Sequence, residues 1–289
     1  MSEEILNKLK NTLVLSDQNK SKYWVKHLKD INFKDINETG GWGNFTKKHY
    51  IKSHLHNLGQ FYLFGKKVFK SKIYKMYKKE FDNCNRQIDF HVIKHILMLE
   101  KIKDYLIQAK KICAIGDGKL NFLLGAHLIN PGAKIFNINL PEVLINDYMV
   151  MKEMNFLKDK DICVVDNLEN IQEFEDKKLY LIPAANANFC KDKEIDFFFN
   201  SHSMQEMTHN EIKKYFDIIK NNKAYFYCNN REKKSGVDDD DDFYFEKMPW
   251  EKCNFLFKEI CPITVKYYNF RPPNIRKFEK FIHCLAKFN

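Results

Sequence analysis

The chain has 289 residues, of which 44% are hydrophobic and 15% aromatic, and this much apolar surface excludes a disordered protein and favours one large folded core. No apolar run reaches the roughly eighteen residues of a spanning helix, and residues 1–10 lack the apolar stretch of a signal peptide, so we expect a cytoplasmic protein without a transmembrane segment. The formal net charge of +10 indicates either an anionic partner or only a solvated basic surface.

The N-terminal part, residues 1–85, has the pattern of helices joined by loops. Apolar residues recur at helical spacing, and the glycine-rich stretch 40–43 interrupts the pattern. We expect this part to form a helical cap in which Trp42 either stacks on a ligand or belongs to the core. A main domain covers 86–289, and an amphipathic helix over 91–110 lies at its start, ahead of the first strand.

The main domain alternates short apolar strands with helices, which is typical of βαβ units and a parallel sheet. We predict strands at 111–115 and 134–139, each followed by a helix. Pro141 fits the first turn of the second helix because its missing N–H is not needed there. The third strand is either 161–166 or 179–182, and the second segment is favoured.

The fourth strand, 195–200, is a short apolar run with a polar exit, as in a strand buried on both faces. A T-x-x-E capping box at Thr208 and Glu211 begins the next helix, and 224–228 forms a fifth strand. The late segments 263–268 and 281–288 are predicted as two strands at an antiparallel edge. The fold class is therefore α/β, Rossmann-like, with a mostly parallel sheet.

Two compositional features have simple structural interpretations. The eight cysteines form no C-x-x-C pair, and several lie in strand-like runs, so buried free thiols are favoured over disulfides or a metal site. Five consecutive aspartates at 238–242 repel one another, which favours a solvated loop, whereas a metal site would need ligands that converge.

The turn Gly116-Asp117-Gly118 leaves the first strand and opens a helix, where the backbone can approach a ligand. A dinucleotide fingerprint would need a third glycine at the position of Asn121, so NAD and FAD are disfavoured. An ordinary tight turn between strand and helix is the alternative.

A candidate base follows the fourth strand. If the first and fourth strands flank the point where strand order reverses, the glycine turn and Asn200-Ser201-His202 face one crevice. His202 could accept a hydroxyl proton near neutral pH, and Glu206, one helical turn later, could orient its ring. Alternatively, Ser203 and Glu206 form a capping box, and His202 is a surface or a packed residue.

Three segments together resemble the sugar O-methyltransferase family: 114–118, 139–144 and 200–207, the last reading NSHSMQEM. The resemblance covers roughly residues 85–289. It implies a class I methyltransferase fold, with a seven-stranded sheet that has helices on both faces and binds S-adenosylmethionine across its first two strands.

By position, the resemblance implies that Gly116, Asp117 and Gly118 hold the methionine part of this cofactor, and that Asn139 and Leu140 meet its ribose and adenine. Asn139 is a departure, since these enzymes usually have a carboxylate there that accepts both ribose hydroxyls. A change to aspartate would be expected to tighten binding. Ala114 also replaces an acid, and Asp117 could supply the missing charge.

The resemblance further implies methyl transfer to a sugar hydroxyl, with His202 as base and Glu206 beside it. Asn200, Ser201 and Asn229 are the expected substrate contacts. The acceptor would be a sugar, a nucleotide-sugar or a lipid-linked glycan of surface polysaccharide or glycan biosynthesis. The alternatives are an RNA or other nucleic-acid methyltransferase, disfavoured because 200–203 lacks an N/D-P-P-Y/F motif, and a non-catalytic module that binds the cofactor.

Overall fold

The computed structural model describes residues 3–14, 21, 24–25, 45–46, 50–168, 176–235, 242–270 and 279–289. The glycine-rich stretch 40–43 with Trp42, and residues 238–241 of the aspartate run, lie outside these ranges. Asp242, at the end of that run, is described, and its carboxylate lies 3.1 Å from the ammonium of Lys233.

The helices of the described residues alternate with strands in the main domain. The helices are α1 (Glu3–Asn11), α2 (Tyr50–Phe64), α3 (Lys66–Lys70), α4 (Lys72–Asn83), α5 (Phe90–Gln108), α6 (Asn121–Ile129), α7 (Pro141–Glu153), α8 (His209–Asn221) and α9 (Pro262–Phe270). The strands are β1 (Phe45–Thr46), β2 (Arg86–Gln87), β3 (Lys111–Ile115), β4 (Lys134–Asn139), β5 (Ile162–Val164), β6 (Leu179–Pro183), β7 (Phe197–Ser201), β8 (Tyr225–Arg231), β9 (Lys233–Lys234), β10 (Phe243–Tyr244), β11 (Cys253–Ile260) and β12 (Phe281–Phe288).

The main sheet has eight strands in the order β11-β12-β8-β7-β3-β4-β6-β5. The six strands from β8 to β5 run parallel to one another, whereas β12 runs antiparallel to both β8 and β11. This confirms the Rossmann-like fold and its antiparallel edge. The expected number of seven strands is wrong, because both candidates for the third strand are strands and β5 adds to the sheet beyond β6.

The segment 263–268 is a further correction, because it lies in helix α9 and not in a strand. Its β-branched and aromatic residues favour a strand locally, but Pro262 occupies the first helical position, where no N–H is needed. The N–H of Val265 then donates to the Cys261 carbonyl at 3.1 Å. The antiparallel partner of β12 is instead β11, at the edge of the sheet, where Phe255, Leu256 and Ile260 are exposed.

The core has two layers because successive residues of each strand point to opposite faces of the sheet. In β7, Phe197 and Phe199 pack with α1 and α4–α7, whereas Phe198 packs on the other side with α8. Helix α4 of the N-terminal part belongs to the layer that contains Phe197 and Phe199. There the Tyr77 hydroxyl donates to the Asn121 carbonyl of α6. A boundary near residue 85 stays a prediction.

The parallel strands define where a ligand can approach. Strand β3 lies between β4 and β7. After β3 the chain adds β4, β5 and β6 on one side of it and later adds β7 on the other, so the strand order reverses at β3. Ligands of open α/β sheets bind outside the carboxyl ends of the strands at such a reversal.

The predicted cap of α8 is confirmed, since the Thr208 side chain accepts from the Glu211 N–H at 3.3 Å. Among the described helices, none has the length and apolarity needed to cross a membrane.

Candidate functional site at the strand ends

Accessible residues lie at the carboxyl ends of three neighbouring strands, β4, β3 and β7. The strand interiors are buried, whereas most of the predicted site residues at their ends are half-buried. These half-buried residues are Gly116, Gly118, Asn139, Leu140, Ser201 and His202. The structure therefore brings the predicted cofactor residues and the predicted base to one edge of the sheet.

Gly116 is required by a close approach of the chain that follows β7. Its φ is +74°, in the region that favours glycine, and a Cβ there would lie 2.3 Å from the Ser203 Oγ. The Ser203 hydroxyl donates to the Ile115 carbonyl at 3.0 Å. The glycine thus first serves the contact between two loops, and a larger side chain would push them apart.

The Asp117 carboxylate caps helix α6. It accepts from the backbone N–H of Phe122 at 3.0 Å and of Leu123 at 2.8 Å. Burial nevertheless raises the pKa of Asp117 to about 7. Because its oxygens are directed at the helix, the charge that was expected beside the methionine part of a cofactor supports the first turn of α6 instead.

Asp147 is a buried carboxyl that sequence reasoning missed. It accepts from the Lys119 N–H at 2.6 Å, from the Asn137 amide at 2.8 Å and from the Asn139 amide at 3.3 Å. Lys119 and the next residue, Leu120, both have positive φ, so these bonds hold a strained turn. Burial raises the pKa of Asp147 well above its usual range. A single acid inside the apolar stretch 143–151 was the available signal.

The contact with Asp147 explains why an amide stands at position 139. Asn139 donates to Asp147, while its own Oδ1 accepts from the Leu140 N–H at 3.0 Å. A carboxylate at 139 would face another carboxyl and could not donate. An amide has two N–H groups and two lone pairs, so one of each remains to meet a ligand.

Asn200 was expected to contact substrate, but it is fully buried and its amide is saturated. Its Nδ2 donates to the Ile115 carbonyl at 2.8 Å and to the Ser203 hydroxyl. Its Oδ1 accepts from the Asn230 amide at 2.8 Å and from the Met204 N–H at 3.4 Å. Asn200 therefore fastens the end of β7 to β3 and β8, and this correction removes it from the substrate contacts.

Asn229 is also fully buried, beneath α5 and α9. Its Nδ2 donates to Thr264 Oγ1 at 2.8 Å and lies 3.9 Å from Met98 Sδ. Among the described residues its Oδ1 has no hydrogen-bond partner. The Ser201 hydroxyl lies 3.8 Å from the same sulfur and is half-buried. Of the three predicted substrate contacts, Ser201 is the one with an exposed surface.

His202 is fixed by its backbone and its ring. Its φ is +72°, its N–H donates to the Asn229 carbonyl at 2.8 Å, and its ring stacks on Phe281 with centroids 5.1 Å apart. Burial holds the pKa of His202 well below its usual value, and neighbouring cationic groups lower it further. The Lys94 ammonium and the Arg231 guanidinium are two of these groups. The imidazole is therefore neutral at neutral pH.

Glu206 has a different partner from the one expected. It lies in the 3-10 helix Met204–Glu206, and its carboxylate is 3.2 Å from the Lys234 ammonium. The alternative capping box is wrong, because the Ser203 side chain makes no cap hydrogen bond and binds the Ile115 carbonyl. Asn229 and Phe281 orient His202 instead.

Helix α5 contributes polar residues that the amphipathic pattern concealed. Lys94 and His95 are buried, and burial lowers the pKa of Lys94 to about 8 and that of His95 to about 3. Asp89 caps the helix by accepting from the Val92 N–H at 3.0 Å. A helix buried on several sides has no clear polar face, so the sequence periodicity gave no signal for these positions.

No protein-family model matches the chain, and no curated protein matches it. Solved structures do. An S-adenosylmethionine-dependent methyltransferase from Clostridium acetobutylicum has 14% identity and a TM-score of 0.43 over 70% of this chain and 93% of its own. A mitomycin 7-O-methyltransferase has 6% identity and a TM-score of 0.36, over 68% of this chain and 57% of its own.

A B. subtilis M1A22 tRNA methyltransferase matches at 9% identity with a TM-score of 0.38, over 66% of this chain and 65% of its own. These likenesses are to the fold of the chain.

Changing Asn139 to aspartate should destabilise the protein. Asn139→Asp removes a donor to buried Asp147 and places a second carboxyl beside it, so we expect the free energy of unfolding at neutral pH to fall by about 1–3 kcal/mol. Asn139→Ala, which adds no charge, should lose less. Urea denaturation measures both, and an Asn139→Asp protein as stable as the wild type would contradict the contact with Asp147.

Asp117 should make stability depend on pH. A carboxyl whose pKa is higher in the folded state stabilises the fold in acid, and this contribution is lost as the pH rises from about 4 towards the folded pKa of about 7. Asp117→Asn keeps an oxygen that can cap α6 but cannot titrate. The unfolding free energy of the wild type should therefore fall relative to the variant over that interval. Urea denaturation at a series of pH values measures both proteins. If their unfolding free energies changed in parallel with pH, the pKa of Asp117 would not be raised by folding.

Proposed function

We propose that the chain binds S-adenosylmethionine at the ends of β3 and β4 and transfers its methyl group to a sugar hydroxyl held near the end of β7. The observation that supports this most is the accessible edge at the reversal of strand order, where Gly116, Gly118, Asn139 and Leu140 lie on one side and Ser201 and His202 on the other. A donor and an acceptor would meet there.

The residues at this edge suit the cofactor. Gly116 and Gly118 are half-buried, so the turn that holds them leaves backbone to line the methionine part. Asn139 retains one N–H and one lone pair for the ribose hydroxyls. When bound, the sulfonium supplies an activated methyl group. The protein then has to align the acceptor oxygen and take its proton.

His202 is the proposed base. It is neutral near pH 7, half-buried and held in one orientation, so its imidazole can receive the proton of the acceptor hydroxyl. The resulting imidazolium would stand among the cationic groups that lower its pKa. An acceptor with a phosphate or carboxylate would offset that cost, and this favours a nucleotide-sugar over a neutral sugar.

A nucleic-acid methyltransferase is the second candidate, because the net charge of +10 and the cationic surroundings of His202 would also suit a phosphodiester backbone. Phosphate contacts make affinity fall steeply with salt. Methylation of RNA that declines steeply with salt, with no methylation of any nucleotide-sugar, would favour this candidate.

The cofactor is tested by calorimetry with S-adenosylmethionine. We expect one site in the wild-type chain and loss of binding in Gly116→Ala, because the added Cβ displaces Ser203 and distorts the turn. Gly65→Ala is the matched control: Gly65 also has a positive φ, of +75°, but nothing lies within 4 Å of its Cβ position. A wild-type protein that binds no cofactor would refute the proposal, and binding that survives Gly116→Ala would remove this turn from the site.

The base is tested by His202→Asn, since asparagine tolerates the positive φ that alanine would not. We expect the rate of methyl transfer to a nucleotide-sugar to fall roughly 10²–10⁴-fold while cofactor binding is kept. The wild-type rate should stay flat through neutral pH and decline only in acid, because the pKa of His202 is low. Glu206→Gln should retain most activity. Wild-type rates in His202→Asn would exclude His202 as the base.

A further inference from the structure

Helices α3 and α4, which follow α2, carry a dense group of lysines. The helices follow one another with single-residue breaks at Gly65 and Ser71. Between 66 and 83 the chain has seven lysines against two acidic residues, Glu80 and Asp82. All seven lysines are exposed, and we call them the lysine face: Lys66, Lys67, Lys70, Lys72, Lys75, Lys78 and Lys79.

The lysine face is held outward by the core. In α4, Ile73, Tyr77 and Phe81 are buried at helical spacing, which fixes the side of the helix that packs inward. Lysines 72, 75 and 79 recur at i, i+3 and i+7, on the opposite side. Their charges therefore form a patch and are not spread around the helix.

An exposed apolar stripe lies on α2, the helix that directly precedes the lysine-bearing helices. Leu55, Leu58 and Tyr62 are 64%, 66% and 79% exposed and recur at i, i+3 and i+7, so they share one side of the helix. Phe61, 50% exposed, lies 6.0 Å from the ring of Phe69 in α3. This ring contact places α2 against α3, the helix that carries the first lysines.

We propose that this surface docks the protein on a bilayer that contains anionic phospholipid. The lysines would meet headgroup phosphates, and Leu55, Leu58 and Tyr62 would enter the interface between headgroups and acyl chains. Nucleic acid offers phosphates too, but it gives leucine side chains no apolar medium. The exposed leucines favour lipid for this reason. The inference does not depend on the chemistry at the strand ends.

Vesicle flotation tests the charge term. The full chain should bind vesicles of two parts phosphatidylcholine to one part phosphatidylglycerol and should not bind phosphatidylcholine alone. Each lysine near an anionic surface contributes about fivefold in affinity, so replacing Lys72, Lys75 and Lys79 with glutamine should weaken binding about 100-fold. The matched control replaces the exposed Lys158, Lys191 and Lys213 with glutamine, which removes the same charge elsewhere and should change binding little.

The apolar contribution to vesicle binding is tested by a variant that carries both Leu55→Ser and Leu58→Ser. These changes should weaken vesicle binding at least about tenfold, and the loss should persist at high salt. Circular dichroism checks that each variant is folded. Three results would overturn the proposal. The first is no binding to anionic vesicles, and the second is an equal loss of vesicle binding in the two variants with three lysines replaced. The third is binding to transfer RNA that is tighter than binding to vesicles and is unchanged by the leucine replacements. The last result would identify a nucleic-acid surface.

Discussion

The carbonyl of Ile115 is the acceptor on which the geometry of the edge depends. The ladder between β3 and β7 pairs residues 112–114 with 197–199 and goes no further. Beyond it, the Ile115 oxygen accepts from the Asn200 amide and the Ser203 hydroxyl. Side chains thus continue the junction after the backbone ladder ends. Gly116 has to be a glycine because the residue beside this oxygen must let Ser203 approach.

This junction divides the polar residues of the edge into two groups. Asn200, Asn229 and Asn230 are fully buried. The Asn230 amide donates to Asn200 and so joins β8 to β7, whereas Asn229 donates to Thr264 on α9. Ser201, the last residue of β7, and His202 directly after it keep accessible surface. Rigid buried amides beneath two accessible side chains make a support suited to precise placement of a ligand.

Sequence reasoning predicted the features that depend on neighbouring residues in the chain. The alternating apolar runs gave the parallel strands, and Thr208 gave the start of α8. It failed in two places: residues 263–268 form a helix that begins at Pro262 although Ile263, Thr264 and Val265 are β-branched, and Asn139 donates to Asp147 on α7, a contact that spacing did not reveal. The low pKa of His202 follows from its burial and from Lys94 on α5, a helix that precedes it by about a hundred residues and could not be placed from spacing alone.

The outer edge of β11 has a consequence for the protein in concentrated solution. Its eight residues lie at the end of the sheet, with Phe255, Leu256 and Ile260 exposed, and an open strand edge is a template for a strand of another molecule. Two features oppose this. The ladder with β12 is irregular between Phe255 and Phe257, and charged Lys258 and Glu259 follow directly. A bent, charged edge is a poor template, so the protein can keep a long apolar strand at its margin without polymerising through it.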